Sequence, residues 1–363
     1  MRAVRHPITV ITAASAALLL AVVAGLPARA APDEAATSPN TDLAVVDCVS
    51  ATFCLAIGNV GAAAVAERWN GHAWTMLPTP GKHLDLQGLS CVGATACIVT
   101  GLFKQASIVE EWNGSQWRKL PSADVGPISC VSMTDCVGLG GTQEELTASV
   151  WDGSTWTEYA PWAPDGPYSS WGGVSCTTAT FCMAAGSGWI NNDDEVAFAD
   201  DWSDGAWNGP LRVVQKGYMP ALGGVSCSSA SDCVAIGDTG SVPMTERWDG
   251  TAWHLLRTPD PDPAVNSPYL SGVSCPEPAR CVAVGSSLDA PHGFAEQLDG
   301  STWTAQKVAM PTNGVFAAIS CASVRDCLAV GWHDVGVEGR RQAAMSELWN
   351  GSSWQSEPVT IPA

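Results

Sequence analysis

The sequence is poor in positive charge and has few histidines and tyrosines. It contains 17 Lys+Arg against 36 Asp+Glu, with six His and four Tyr among 363 residues. The formal net charge of −19 falls to about −22 without the first 30 residues, which hold three arginines and no acid. A surface this acidic repels nucleic acid and anionic lipid. We therefore expect no nucleic-acid partner and a soluble chain.

Motifs for catalysis and for metal binding are also missing. The chain has no Gly-x-Ser-x-Gly elbow, no His-Glu-x-x-His pair and no phosphate-binding loop. It has no short Cys-x2-Cys or Cys/His knuckle for zinc. We expect no cofactor and a binding protein rather than an enzyme. Sites in repeat folds are assembled from distant loops, so catalysis stays an alternative.

Long apolar runs are confined to the N-terminus. A charged start, an apolar run over residues 8–26 and the small-x-small triplet Ala28-Arg29-Ala30 predict a secretory signal peptide spanning 1–30. An uncleaved anchor helix is the alternative. Residues 31–40 are predicted to form a short disordered tail. No later run is long enough to span a bilayer, so we expect a secreted, extracellular protein that inserts into no membrane after cleavage.

Cysteine is the most regular feature of the chain. The 14 cysteines form seven Cys-x5-Cys pairs, none is left over, and the first members recur every 39 to 51 residues. The predicted pairs are Cys48 with Cys54, Cys91 with Cys97, Cys130 with Cys136, Cys176 with Cys182, Cys227 with Cys233, Cys275 with Cys281, and Cys321 with Cys327. An even count in an exported chain predicts disulfides. A period of this size, repeated seven times, is typical of a propeller or a solenoid.

Each unit contains two predicted hairpins. A short apolar strand ends at the first cysteine, and the second cysteine opens an apolar strand ending in glycine, as in Cys54-Leu-Ala-Ile-Gly58. The second hairpin carries Trp69-Asn70-Gly71-His-Ala-Trp74 or a close copy. Four strands in each of seven units predict an all-β, seven-bladed β-propeller over residues 41–363, with antiparallel blades and one disulfide per blade. A parallel β-helix is the alternative.

The Asn-Gly and Asp-Gly pairs favour a two-residue type I′ turn in the second hairpin. Such a turn would place Trp69 opposite His72 and Glu67 opposite Trp74. The two tryptophans would then meet diagonally and pack between neighbouring blades. Units four and six depart from the pattern, with Trp202-Ser-Asp204-Gly205 in one and Leu298-Asp299-Gly300 in the other.

The unit resembles those of Asp-box propellers, which include sialidases and photosystem assembly factors. Gly71 and Trp74 match the glycine and tryptophan of the box, whereas Trp69 occupies the position of its aspartate. The chain is more similar to the Cys-x5-Cys, Trp-Asn-Gly-x-x-Trp repeats of secreted actinobacterial proteins, over essentially all of its mature length. The resemblance implies the fold and carries over no catalytic residue.

Propeller geometry sorts the loops between two faces. The disulfide turns and the Asn-Gly loops share one face, and the more variable loops and blade-to-blade links share the other, where propeller function is usually found. Thirteen of 17 tryptophans occupy the repeat hairpins. The aromatic and histidine side chains predicted for the variable loops, and proposed as ligand-binding residues, are Trp162, Tyr168, Trp171, Trp189, Trp332 and His333. They could instead cover small cores beneath long links.

The densest polar run, Asn191-Asn192-Asp193-Asp194-Glu195, is a candidate Ca²⁺ site, with Asp193, Asp194 and Glu195 as ligands. The run lacks the spacing of a calcium loop, so we expect a solvated acidic loop and no resident metal.

The sequence thus predicts a monomeric, non-catalytic binding protein whose partner is an extracellular glycan, such as a cell-wall polymer, or a secreted protein. Two alternatives remain. One is a sialidase-like glycan hydrolase or lyase, which needs an arginine cluster, a tyrosine and an acid near the channel. The other is a protein-interaction or inhibitor scaffold.

Overall fold

A computed structural model describes residues 39–361 except 81–84, 165–167, 191–193, 213–219, 241, 260–267, 288–291, 312 and 336–340. The described residues form 29 strands in seven separate sheets and no helix. Each sheet is one blade built from a contiguous stretch of chain, with its strands antiparallel and in sequence order. The predicted seven-bladed β-propeller is confirmed. The predicted signal peptide and most of the predicted tail lie outside the described residues.

Blades one to three hold twelve strands, whose bounds follow. They are β1 (Thr41–Ser50), β2 (Phe53–Val60), β3 (Ala63–Trp69), β4 (Trp74–Leu77), β5 (Asp85–Gly93), β6 (Ala96–Phe103), β7 (Ala106–Trp112), β8 (Trp117–Lys119), β9 (Ile128–Ser132), β10 (Asp135–Gly141), β11 (Leu146–Trp151) and β12 (Trp156–Tyr159).

Blades four to seven hold the other seventeen, because the outer strand of blade four is split into two pieces that both pair with β15. They are β13 (Ser169–Thr178), β14 (Phe181–Ile190), β15 (Asp194–Ser203), β16 (Ala206–Trp207), β17 (Leu211–Arg212), β18 (Ala221–Ser229), β19 (Asp232–Asp238), β20 (Pro243–Trp248), β21 (Trp253–Leu256), β22 (Pro268–Glu277), β23 (Arg280–Ser287), β24 (Phe294–Asp299), β25 (Thr302–Gln306), β26 (Val315–Ser323), β27 (Asp326–Val335), β28 (Arg341–Trp349) and β29 (Trp354–Ser356).

All seven predicted disulfides form, one in each blade, with Cα–Cα distances of 3.9–4.1 Å. In chain order they join Cys48 to Cys54, Cys91 to Cys97, Cys130 to Cys136, Cys176 to Cys182, Cys227 to Cys233, Cys275 to Cys281, and Cys321 to Cys327. Each bond links the first two strands of its blade across the turn between them. The predicted pairing is therefore confirmed, and no free cysteine occurs in the described part of the chain.

One row of residues crosses all four strands of a regular blade. In blade one, Cys48 lies opposite Cys54, Cys54 opposite Trp69, and Trp69 opposite Trp74. The row packs against the neighbouring blade, where Trp74 Nε1 donates to Ser346 Oγ at 2.8 Å. Packing of the tryptophans between blades is therefore confirmed.

The predicted type I′ turn is wrong in the regular blades. Trp69 lies directly opposite Trp74, and Asn70 to Ala73 form a four-residue loop closed by Asn70 N to Ala73 O. The longer loop is stabilised because Asn70 Oδ1 accepts hydrogen bonds from the N–H groups of His72 and Ala73 at 2.9 and 3.0 Å. The same side-chain cap recurs at the four other regular loops, at Asn113, Asp152, Asp249 and Asn350.

The two irregular blades instead have the shorter turn. In blade four Ser203 pairs with Ala206, and both intervening residues, Asp204 and Gly205, have positive φ (52° and 80°), as a type I′ turn requires. In blade six Asp299 pairs with Thr302, and Gly300 has a φ of 68°. The two blades whose sequences depart from the repeat are therefore the two that have a two-residue turn in the second hairpin.

A closed ring of hydrogen bonds joins the blades. The N–H of each first cysteine donates to the side chain that precedes the first cysteine of the preceding blade, at 2.7–3.0 Å. Six of the seven acceptors are serines, and the seventh is Asp47 in blade one. The ring closes where Cys48 N donates to Ser320 Oγ of blade seven. The Ser-Cys pairs of the sequence recur because each serine accepts a hydrogen bond from the next blade.

Blades one and seven close the propeller without exchanging a strand. Thr41 Oγ1 of β1 accepts the N–H of Ala344 in β28 at 2.9 Å. Glu67 of β3 accepts hydrogen bonds from the N–H, at 2.8 Å, and the hydroxyl of Thr360. Side chains and the end of the chain therefore hold the two blades together. The seven disulfides indicate an oxidising environment, and no described helix is long and apolar enough to cross a membrane.

Candidate functional site

The two faces of the propeller differ in their construction. On one face, the disulfide turns touch the Asn-Gly loops. A Cβ added at Gly71 would lie 3.0 Å from Thr52 Cγ2, so this close approach and a φ of +94° both require glycine. The other face carries the loops between second and third strands and the links between blades. We call it the variable face.

The central channel is lined by aliphatic side chains, glycines and two uncharged polar residues, Gln87 and Ser271. Its lining comes from the first strands of all seven blades and the residues just before them, and its volume is about 210 Å³. Seven aliphatic side chains, each two residues before a first cysteine, line it in a ring: Val46, Leu89, Ile128, Val174, Val225, Val273 and Ile319. The described lining contains no carboxylate, arginine or tyrosine. The channel itself thus lacks the charged groups that a sialidase-like site needs.

A groove of about 280 Å³ opens on the variable face across blades two to four, and we call it the Trp171 groove. The half-buried Trp171 lines it, and its Nε1 donates to Thr147 O at 3.1 Å, which fixes the ring. Asp124 lines the groove and is held by hydrogen bonds from Gly141 N at 3.1 Å and Ser107 Oγ at 3.4 Å. The other polar side chains of the lining are Gln87, Thr142, Gln143, Ser169 and Ser170.

A second groove of about 230 Å³, the Trp332 groove, opens across blades seven, one and two. Trp332 is half-buried there. The polar side chains that share its lining are Asp42, Asn59, Asp85 and Gln342. Asn59 Nδ2 donates to Asp42 Oδ1 at 3.3 Å. Burial of Asp42 raises the pKa of its carboxyl group, and the hydrogen bonds from Asn59 oppose this shift.

The two grooves approach each other at the mouth of the channel. Gln87 and Pro127 line both the channel and the Trp171 groove. Asp85 and Leu86, the two residues before Gln87 on β5, line the Trp332 groove. The linings of the two grooves are therefore neighbours along β5, beside the channel mouth. Together they contain two indole rings with uncharged and acidic hydrogen-bonding groups.

Trp162 lies in an aromatic cluster rather than in a groove lining. Its ring packs edge-on against Phe198, with the ring centroids 5.6 Å apart. Trp171 packs on the same phenylalanine, with the centroids 5.3 Å apart. Trp162 N donates to Asp200 Oδ2 at 3.0 Å. Burial raises the pKa of Asp200 to about 6, against the lowering effect of the hydrogen bonds from Trp162 and Gly209. Trp162 thus ties the link after blade three to blade four.

Of the other predicted binding residues, Tyr168 is the most exposed, at 58%, and precedes Ser169 and Ser170 of the Trp171 groove. Trp171 and Trp189 were also predicted in loops, but they belong to strands β13 and β14. Trp189 is half-buried and lines neither groove. Trp332 and His333, predicted in a loop, both belong to β27, which continues to Val335. Successive side chains of a strand point to opposite faces of the sheet. Trp332 and His333 are therefore separated.

The acidic run is only partly described. Asp193 lies outside the described residues. Asp194 and Glu195, predicted in a solvated loop, instead begin strand β15, where Asp194 is exposed and Glu195 lies opposite Trp189. Burial, with a smaller contribution from the charge of Asp238, raises the pKa of Glu195. Within the described ranges, no three His, Cys, Asp or Glu side chains are grouped so as to hold a metal ion.

Sequence reasoning missed the polar side chains of the grooves, namely Asp42, Asp85, Gln87 and Asp124. They stand at or just before the starts of first strands and carry no local motif. It also missed a buried polar position in the third strand of every blade. This position lies two residues before the first tryptophan of the second hairpin, which in blade six is replaced by Leu298. Six blades hold a carboxylate there and blade three holds a serine: Glu67, Glu110, Ser149, Asp200, Glu246, Glu296 and Glu347.

Comparison with known proteins identifies the fold and no family. No family model matches the chain, and no curated protein matches it. The β-propeller domain of the Trilobed protease from Pyrococcus furiosus, with an open velcro topology, superposes with a TM-score of 0.59 at 9% identity over 90% of this chain and 99% of that one. A PL25 ulvan lyase bound to -[GlcA(1-4)Rha3S]- gives 0.58 at 9% identity over 88% and 97%.

YCF48 bound to a D1 peptide gives a TM-score of 0.53 at 14% identity over 81% of this chain and 89% of that chain. These structural neighbours thus include a glycan-processing enzyme and a peptide-binding propeller. At such low identities the likeness shows the fold alone, and it shows that this chain is a β-propeller.

Proposed function

We propose that this protein is a secreted, non-catalytic binding protein that takes a carbohydrate or cell-wall polymer on the variable face. The observation that carries the proposal is the pair of neighbouring grooves beside the channel mouth, each with a half-buried tryptophan near a hydrogen-bonded aspartate. Indole rings stack on the apolar faces of sugar rings. Carboxylates accept hydrogen bonds from sugar hydroxyl groups, and side-chain amides both accept from and donate to them.

The extended form of this surface favours a polymer over a small ligand. Five consecutive blades, from seven through one to four, contribute to the two grooves. A chain of several sugar units could contact both tryptophans at once. After one contact forms, the second forms within the same complex, so the polymer binds more tightly than a single unit. A single monosaccharide could occupy only one groove.

The experiment is a titration of soluble polysaccharides into the mature protein, followed by tryptophan fluorescence and calorimetry. We expect saturable binding of one glycan class. Trp171→Ala and Trp332→Ala should each weaken it by about five- to 150-fold, if a lost sugar–indole contact costs about 1–3 kcal/mol, as a lost base–aromatic stack does. Trp189→Ala should leave it unchanged, because Trp189 lines neither groove.

Truncation of Trp171 also removes packing against Phe198, so a milder variant is needed. Gln87→Ala removes an exposed side chain from the junction of the grooves and should weaken binding with an unchanged melting temperature. Absence of binding to every glycan would contradict the proposal and favour a secreted protein partner. Release of new reducing ends or unsaturated products would favour the hydrolase or lyase alternative.

A further inference from the structure

We propose that the glycan bound by the two grooves is an amine-bearing one, a polymer of hexosamine units with free, protonated amino groups. This inference rests on the proposed function and narrows its ligand class. It is carried by the charge of the groove linings. The described residues that line the grooves include three carboxylates, Asp42, Asp85 and Asp124, and no lysine or arginine.

Two of the three carboxylates accept hydrogen bonds within the protein, Asp42 from Asn59 and Asp124 from Ser107 and Gly141. Asp124 accepts two hydrogen bonds within the protein, which fix its orientation while the residue stays exposed. Asp85 is exposed at the start of β5, next to the junction of the two grooves. A carboxylate binds an ammonium group more strongly than it binds a hydroxyl group, because the hydrogen bond to the ammonium joins two charged groups.

Each carboxylate is combined with an indole ring in the same groove. Trp171 shares its groove with Asp124, and Trp332 shares the other with Asp42 and Asp85. An ammonium group beside the face of an indole gains a further cation–π attraction. A sugar that bears an amino group presents an apolar ring face and a cation within one unit, so it can use both features of a groove.

The same charge disfavours anionic polymers. A chain of uronate or sulfated sugars would bring its negative groups against the three aspartates and a formal net charge of −19. The ulvan lyase noted above is bound to a glucuronate-containing chain. The groove linings of the present propeller therefore point to a different class of polysaccharide from that enzyme's ligand.

The test compares two hexosamine probes that differ only in acetylation of the amino group, with two further probes of other charge or chemistry. Glucosamine hexamer and N-acetylglucosamine hexamer have the same length and linkage, but only the first carries amines; galacturonate hexamer and hexalysine are the anionic and cationic-peptide comparisons. We expect the glucosamine hexamer to bind at least tenfold more tightly than the acetylated one. Its affinity should fall as salt is raised, since the added attraction is between charges.

Variants assign this preference to the grooves. Asp85→Asn with Asp124→Asn should weaken binding of the glucosamine hexamer much more than binding of the acetylated hexamer, and should thereby remove most of the preference for the amine. Asparagine keeps a carbonyl oxygen for the hydrogen bond from Gly141 N. The matched control is Asp204→Asn, which removes one exposed charge from the opposite face and tolerates its φ of 52°.

The outcomes separate the two proposals. Equal binding of both hexosamine hexamers, or tighter binding of the galacturonate hexamer, would overturn the amine-bearing class and leave the glycan-binding function standing. Failure of all three glycans to bind would overturn both proposals. Tighter binding of hexalysine than of the glucosamine hexamer, lost in the double variant of Asp85 and Asp124, would assign the grooves to a cationic peptide.

Discussion

Glu296 should make the stability of this protein fall as the pH rises, and Glu296→Gln should remove the part of that fall which Glu296 causes. The side chain lies fully buried on β24 between Ala283 and Ala305 of the adjacent strands. Neither carboxyl oxygen has a hydrogen-bond partner among the described residues. The equivalent Glu67 accepts hydrogen bonds from Thr360. Burial without such partners raises the pKa of Glu296 to about 8.

The sign of the effect follows from the two pKa values of this group. The unfolded chain releases the proton near 4.5 and the folded chain near 8. The folded state therefore holds an extra proton between these values, and stability falls as the pH rises through that window. At 1.36 kcal/mol per pKa unit, Glu296 should lower the free energy of unfolding by about 3–4 kcal/mol between pH 5 and pH 8.

The assay is thermal or denaturant unfolding of the wild type and Glu296→Gln at several pH values. With an unfolding entropy of about 2 cal/mol/K per residue, the difference in melting temperature between the two proteins should change by about 5 °C from pH 5 to pH 8. The other buried carboxylates titrate in both proteins, so the difference isolates Glu296. Glu144→Gln, an exposed control, should follow the wild type. Parallel curves for wild type and Glu296→Gln would refute the reasoning.

Three further predictions concern the scaffold. Ser226→Ala should lower the free energy of unfolding by about 1–2 kcal/mol, because Cys275 N loses its acceptor in the hydrogen-bond ring; denaturant unfolding measures it, and no change would show the ring to be dispensable. Gly71→Ala should destabilise more than Gly300→Ala, by about 2 against 1 kcal/mol, because only the former meets a neighbour, Thr52; a reversed order would contradict the loop geometry. A strong reductant should lower the melting temperature, each disulfide contributing about 2 kcal/mol; an unchanged temperature with all cysteines alkylated before reduction would exclude the disulfides.

The blades could be predicted from the sequence because their signals repeat. Seven equal Cys-x5-Cys spacings and seven glycine-ended apolar strands determine the number of units and the position of the first hairpin. The two-residue turn could not be excluded, since Asn-Gly starts both a type I′ turn and the four-residue loop. The choice depends on Asn70 Oδ1 capping two N–H groups and on contact with Thr52 in a different turn.

The candidate site was predictable only in part. Trp171 and Trp332 were found because they stand outside the repeat. The prediction did not extend β27 through Trp332, so it grouped this residue with His333 on a loop. Asp42, Asp85 and Asp124 could not be recognised in advance, because they come together only when strands from different blades converge around the channel.

The most direct test of the ligand surface is backbone hydrogen exchange with and without a glucosamine hexamer. The account predicts added protection on the variable face, in segments 85–87, 124–127, 140–143 and 169–171 and around Trp332. The disulfide turns and the Asn-Gly loops should exchange as in the free protein. Protection confined to those turns and loops, or no change in any segment at saturating hexamer, would contradict the assignment of function to the variable face.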